Sequence, residues 1–168
     1  AKQLRAEFRQ TAETLAARGV RPGLAVILVG EDPASQVYVR NKVNACADAG
    51  FHSEKHVFPG DATQSEVLAK IRQLNADPAI HGILVQLPLP PQFDAEAVLE
   101  AIVAEKDVDG FHAENVGALV QGMPCFVPCT PRGAMRQLEE AGIEIAGKEA
   151  GVVGRPNIVG KPMAMQLM

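Results

Sequence analysis

The chain has 168 residues, 47% of them hydrophobic, and a formal net charge of -4 at pH 7. That length hides roughly two-thirds of its unfolded surface on folding, so one domain with a real core, or two small ones, is expected. Sixteen basic residues scattered among twenty acidic ones argue against nucleic acid as a partner, which needs clustered Lys and Arg, and no apolar run approaches the ~20 residues of a membrane span.

Leu4, Phe8, Thr11 and Leu15 share one helical face, and Gly19 ends that helix. Pro22-Gly23 then turns the chain into Leu24-Ala25-Val26-Ile27-Leu28-Val29, an unbroken apolar run that reads as a strand covered on both faces. Asp32-Pro33 opens a second helix, with Val39, Val43 and Cys46 on one stripe and Gly50 at its close. Residues 54–58 form a short strand candidate. Thr63-Gln64-Ser65-Glu66 is a capping box for a helix reaching about Asn75. Ile83-Leu84-Val85 reads as the third strand, in a segment extending to residue 87 and halted by Pro88, Pro90 and Pro91.

This alternation predicts an α/β domain with a parallel sheet, whose ligand cleft lies past the carboxyl ends of the strands. Gly30 to Ser35 and Gln86 to Pro91 should border it. Farther on, Thr130 is a good N-cap with Pro131 in the first helical position, for a helix reaching about Ala141. Gly142 and Gly147 flank a turn, and Gly151-Val152-Val153-Gly154 reads as a new strand. The domain boundary is placed between Cys125 and Gly147, dividing the chain into residues 1–130 and 131–168.

Three cysteines, Cys46, Cys125 and Cys129, without a visible secretory signal suggest reduced thiols in a cytoplasmic protein. Cys125 and Cys129 lack the two further ligands that structural zinc takes, so packed thiols and no metal are expected. Ala1 is not Met and enters a helical pattern at once, and Met168 falls inside the last helix; the chain is expected to be a stretch of a longer protein.

Tyr38 and Lys42 stand four apart on the second helix, hence on one face a turn apart. Alone, the pair would read as a surface lysine beside a half-buried ring. Ser35 lies three residues before Tyr38, just past a strand end. Gln86 ends another strand and runs into a rigid Pro-rich loop suited to a cleft wall. Asp109 precedes Gly110 in Lys106-Asp107-Val108-Asp109-Gly110, where turn chemistry alone would explain it.

Ser35 to Lys42, Gly82 to Pro90, Lys106 to Gly110, Pro128-Cys129-Thr130-Pro131 and Gly154 to Pro162 together resemble, in order, the motifs of bifunctional methylenetetrahydrofolate dehydrogenase/methenyltetrahydrofolate cyclohydrolases. The likeness spans essentially the whole chain. It implies a parallel-sheet catalytic domain followed by the start of a Rossmann-type NADP-binding domain. It also implies a cytoplasmic homodimer acting on tetrahydrofolate derivatives in one-carbon metabolism and purine biosynthesis. By this resemblance Lys42 is the catalytic lysine that handles protons in the cyclohydrolase step. Gln86 hydrogen-bonds that lysine, Tyr38 stacks on the folate, and Ser35 joins the substrate-binding group. Asp109 reads the pterin's amino and ring N–H groups, a pairing that suits a carboxylate because it accepts two parallel hydrogen bonds.

The cofactor loop is Gly154-Arg155-Pro156-Asn157-Ile158-Val159-Gly160-Lys161-Pro162, in which Gly154, Arg155, Pro156 and Gly160 are the cofactor-binding candidates. Backbone N–H groups in such a turn can approach a phosphate at a helix N-terminus, and Arg155 matches an arginine that favours the 2′-phosphate of NADP. Pro156 replaces the family's serine and removes both a hydroxyl and an N–H donor. Gly151 stands where an apolar strand residue is expected.

Two other readings are open to the same residues. Short-chain dehydrogenases also use Tyr-x-x-x-Lys, but their Gly-rich loop follows the first strand, where this chain has Gly30-Glu31-Asp32-Pro33. A non-enzymatic folate-binding module with a degenerate NADP site is the second, favoured by Gly151 and Pro156.

Overall fold

The computed structural model describes residues 2–168. Contacts divide the chain between Lys106 and Asp107 into two units. The first carries α1 (Lys2–Ala17), β1 (Gly23–Val29), α2 (Pro33–Asp48), β2 (His52–Phe58), α3 (Gln64–Ala76), β3 (Gly82–Val85) and α4 (Ala95–Glu100), then a single 3-10 turn, Ala104–Lys106. The strands form one sheet in the order β2-β1-β3, with both pairings parallel. Leu24 stands opposite Ser53 on one side and Gly82 on the other. The parallel α/β architecture expected from the sequence is present.

β1 is apolar throughout because both its faces are covered. Alternate side chains Ala25, Ile27 and Val29 join Ile83 and Val85 of β3 in a core with Val67, Ile71 and Leu74 of α3, and with Val98 and Ile102. The intervening Val26 and Leu28 are buried as well, and α2 packs on β1 and β2, burying Val39 and Cys46. Each fully buried Ile or Val in this core contributes about 1.5–3 kcal/mol.

Local chemistry starts the helices. The Asp32 carboxylate accepts the Ser35 N–H at 2.7 Å, and Pro33 occupies the first turn of α2. Those Ser35 contacts, the backbone N–H first and the hydroxyl second, hold the Asp32 carboxyl below its ordinary value. At α3 the capping box is closed from both sides: Glu66 Oε2 accepts the Thr63 N–H at 2.7 Å, and Thr63 Oγ1 accepts the Glu66 N–H.

Gly23 does more than turn the chain. It is the first residue of β1, and a Cβ there would collide with the Ala79 carbonyl oxygen. That close approach lets the Gly23 N–H donate to His81 Nδ1 at 3.1 Å while its carbonyl accepts the His81 N–H at 2.8 Å. On the edge strand β2, His52, Glu54 and His56 share one face by the two-residue period. Glu54 Oε1 and Oε2 lie 3.1 Å from His52 Nε2 and His56 Nε2 respectively. The His52 hydrogen bond, then that of His56, holds the Glu54 carboxyl below its usual range.

Of the face expected on α1, Leu4 and Leu15 are half-buried, and the other two residues are not. Ala12 is buried, whereas Thr11 is exposed and Phe8 is 56% exposed. The neighbour that α1 packs against is α2, and Arg9 Nε donates to the Asp48 carbonyl there at 2.6 Å. Arg9, Ala12 and Ala16 border an open groove with Ala47, Asp48 and Gly50.

The second unit contains α5 (Ala113–Val120), α6 (Cys129–Glu140) and α7 (Gly160–Gln166), with α7 packed on both α5 and α6. It departs from expectation in several places. Residues 151–154 form no strand, and Val152 and Val153 are exposed. No strand lies in residues 107–168, so this segment has no ladder within its unit to satisfy its backbone. Thr130 is not an N-cap: α6 begins at Cys129 with Pro128 as its cap residue and no capping side chain. Pro131 is therefore third in the helix and buried, a place its missing N–H allows because first-turn amides have no intrahelical acceptor. The third departure is α5, a helix not among the elements expected from the sequence. Gly142 and Gly147 do not flank a single turn; each lies within one of its own, with φ of 68° and 73°. Among the described residues no helix is long and apolar enough to cross a membrane.

Candidate functional site

The carboxyl end of β3 runs directly into Gln86. The Gln86 N–H donates to the Ile27 carbonyl at 2.9 Å, extending the β1–β3 ladder past the last strand residue and fixing the backbone. Its side-chain Nε2 donates to the Leu87 carbonyl at 2.7 Å. That bond orients the amide and leaves Oε1 as the acceptor for the Lys42 ammonium, at 3.2 Å. Helix α2 supplies Lys42 half-buried, and Tyr38 one turn before it, 61% exposed. The Tyr38 ring thus offers an open face for stacking, and Lys42 is tethered by a neutral partner that leaves its charge uncompensated.

Ser35 is only 3% exposed, packed in the first turn of α2 with its N–H given to Asp32. The structure therefore brings Lys42 and Gln86 together at the carboxyl side of a parallel sheet, with Tyr38 on the same helix face and Ser35 at that helix's start. An open groove of about 620 Å³ lined by Arg5, Arg9, Gln10, Glu13 and Asp48 holds none of them.

Asp109 belongs to the second unit. It sits in a turn closed by the Gly110 N–H donating to the Asp107 carbonyl at 3.2 Å. Lys106, just before this turn, is committed to structure: its ammonium donates to the Leu74 and Asp77 carbonyls at 3.0 and 2.7 Å, at the end of α3. In the loop ahead of α7, Gly154 has φ 119° and Arg155 and Pro156 are exposed. Gly160 is the buried first residue of α7, and a Cβ on it would strike the Gly154 carbonyl. It is more than a turn glycine, because its bareness lets the loop fold back on itself. The Pro156 carbonyl accepts the Lys161 N–H at 3.2 Å.

Two buried polar residues around the Asp109 turn, Asp107 and Asn115, were not among the candidates singled out from the sequence. The available signal was weak: an aspartate at the head of a Gly-containing turn and an asparagine eight residues later. Among the described residues no group of three His, Cys, Asp or Glu could hold a metal ion.

The chain thus combines a parallel α/β sheet that carries an amide-tethered lysine past its strand ends with a glycine-marked loop that opens a helix. Residues 1–109 match the family model for the tetrahydrofolate dehydrogenase/cyclohydrolase catalytic domain. Residues 128–168 match the NAD(P)-binding domain model of the same family. The chain belongs to the tetrahydrofolate dehydrogenase/cyclohydrolase family.

It is similar to the bifunctional protein FolD of Dechloromonas aromatica, 64% identical over 168 residues that cover 100% of this chain and 59% of that protein. The Bordetella petrii bifunctional protein FolD is 60% identical over 168 residues and is 57% covered. Among solved structures, the FolD methylenetetrahydrofolate dehydrogenase/cyclohydrolase of Campylobacter jejuni aligns with a TM-score of 0.97 at 46% identity, covering 99% of this chain and 59% of that one. A Trypanosoma brucei methylenetetrahydrofolate dehydrogenase-cyclohydrolase, complexed with NADP cofactor and inhibitor, aligns with a TM-score of 0.95 at 39% identity, covering 99% and 57%. The chain thus spans a little under three-fifths of the length of these relatives.

Proposed function

We propose that this chain carries the folate site of an enzyme that oxidises 5,10-methylenetetrahydrofolate with NADP and hydrolyses the methenyl product to 10-formyltetrahydrofolate. The observation that carries this reading is the Lys42–Gln86 hydrogen bond past the carboxyl end of β3. Lys42 transfers protons as water adds to the methenyl carbon and the ring opens, and Gln86 holds its Nζ without neutralising it. Tyr38 presents its exposed ring for stacking on the pterin, and Ser35 supports the start of the same helix. Asp109 accepts the pterin's paired N–H groups. The family match and the names of the relatives, which describe enzymes, favour this over a non-enzymatic folate-binding module.

Bound NADP would supply the hydride acceptor for oxidation of the one-carbon bridge. Arg155, exposed and cationic, suits its 2′-phosphate, and Gly154 and Gly160 keep the loop tight enough for backbone to approach a phosphate. Pro156 offers no N–H there. In functional terms the folate residues fall within 1–130, and residues 131–168 are a linker helix and the opening of the nucleotide domain. The working protein is a cytoplasmic homodimer in this reading, by family resemblance. Two assays test the proposal. Methenyltetrahydrofolate hydrolysis needs no nucleotide, and the dehydrogenase needs NADP. Tetrahydrofolate binding with silence in both assays of the whole protein would leave the non-enzymatic module standing instead.

A further inference from the structure

Ser35, Asp107 and Asn115 are the polar or charged residues buried among those described, at 3%, 2% and 6% exposure. Ser35 is accounted for by the cap of α2. Asp107 and Asn115 serve no step of the chemistry above, yet a buried carboxylate is costly unless its lone pairs are used. Asp107 Oδ2 accepts the His112 N–H and Asn115 Nδ2, both at 2.9 Å. Asn115 Oδ1 accepts the Phe126 N–H at 3.3 Å. The two side chains therefore tie three stretches of backbone together: the 107–110 turn, the start of α5, and the segment ahead of α6.

The turn itself is closed on both sides of Asp109. The Gly110 N–H reaches back to the Asp107 carbonyl, so Val108 and Asp109 are the central residues. Gly110 has φ 68°, and a Cβ on it would lie 2.7 Å from the Phe126 carbonyl oxygen and 2.9 Å from Pro128 Cδ. The turn is thus pressed against residues 126–128 at a point where only glycine fits in both conformation and space.

We infer that Asp107 and Asn115 are positioning residues that hold the Asp109 turn rigid for pterin recognition. This rests on the folate reading above. A carboxylate that must meet two parallel N–H groups loses affinity if its backbone wanders, because binding then has to supply the ordering entropy. Asp107 suits this role because an ionised carboxylate only accepts, and one of its oxygens meets both donors.

The experiment is a double-mutant cycle on the 168-residue chain, titrated with tetrahydrofolate by calorimetry, with thermal melts to confirm folding. Asp107→Asn and Asn115→Ala are each made alone and combined with Asp109→Ala. Each single variant is expected to weaken binding about tenfold, and the extra loss should shrink below about twofold once Asp109 is gone. A purely structural role would not show that coupling. Unchanged binding in the folded single variants, or the full loss persisting beside Asp109→Ala, overturns the inference while leaving the folate reading intact. An unaltered chain that does not bind tetrahydrofolate, or an Asp109→Ala chain that binds it normally, overturns the folate reading and the inference with it. Amide exchange in the unaltered chain decides the matter independently of variant folding: His112, Gly110 and Phe126 should be protected, and fast exchange at all three overturns the rigid turn.

Discussion

Lys42 and Gln86, 44 positions apart, meet through one hydrogen bond of 3.2 Å, and the amide is already oriented by its own bond to the Leu87 carbonyl. The second bond matters as much as the first. With Nε2 turned to the Leu87 carbonyl, Gln86 directs its oxygen at Lys42, so Nζ is held by an uncharged partner.

Removing the ammonium tests this directly. Lys42→Met keeps much of the side-chain length and the packing of α2, and it should lower methenyltetrahydrofolate hydrolysis by ~100-fold or more, the scale of a positioned proton-transfer group. Tetrahydrofolate binding should change far less. Equal hydrolysis by both forms, followed by absorbance of the methenyl compound, would remove Lys42 from the chemistry.

The His52–Glu54–His56 row gives a pH prediction for stability. Because the folded-state pKa of Glu54 is depressed, chiefly by His52, its ionisation stabilises the fold at pH values above the ordinary glutamate value of 4.5. That contribution disappears as pH falls through the lowered folded value. Thermal melts of the unaltered chain and Glu54→Gln should therefore differ above pH 4.5 and converge as pH falls through the lowered folded value. A gap that persists once Glu54 is protonated would contradict the assignment.

Gly23→Ala should destabilise the first unit by about 1–3 kcal/mol or more, as overpacking does. The new methyl meets the Ala79 carbonyl, which is backbone and cannot swing away. The Gly23–His81 hydrogen bonds would open with it. Urea melts of the two forms measure the cost, and a neutral result would mean that the β1 entry is softer than its geometry.

Position by position, what could be read ahead of the structure was what local chemistry decides. The β1 run 24–29 carries its burial in its composition. Asp32-Pro33 and Thr63–Glu66 start α2 and α3 with contacts spanning three residues or fewer. Tyr38 and Lys42 share a face by helical spacing alone. What escaped depends on distant partners. The need for glycine at 23 comes from Ala79, and the burial of Asp107 comes from His112 and Asn115. Val152 and Val153 have strand-forming side chains, but a strand exists only where another pairs with it.

For the same reason the chain as it stands should bind tetrahydrofolate far more tightly than NADP. Lys42 and Gln86 are fixed by a three-stranded sheet and its helices, and the Asp109 turn by buried hydrogen bonds. The nucleotide loop has no such support within its unit. Residues 151–159 are exposed and no strand of residues 107–168 backs them, although ligands of such domains bind at the ends of sheet strands. Pro156 withdraws one backbone donor even from the loop. Exposed backbone without a ladder opens readily, so any phosphate contact there would first have to order the loop. Calorimetry with each ligand in turn checks this. Micromolar NADP binding by the 168-residue chain, with its mass verified, would show that the loop before α7 is preorganised without a sheet behind it.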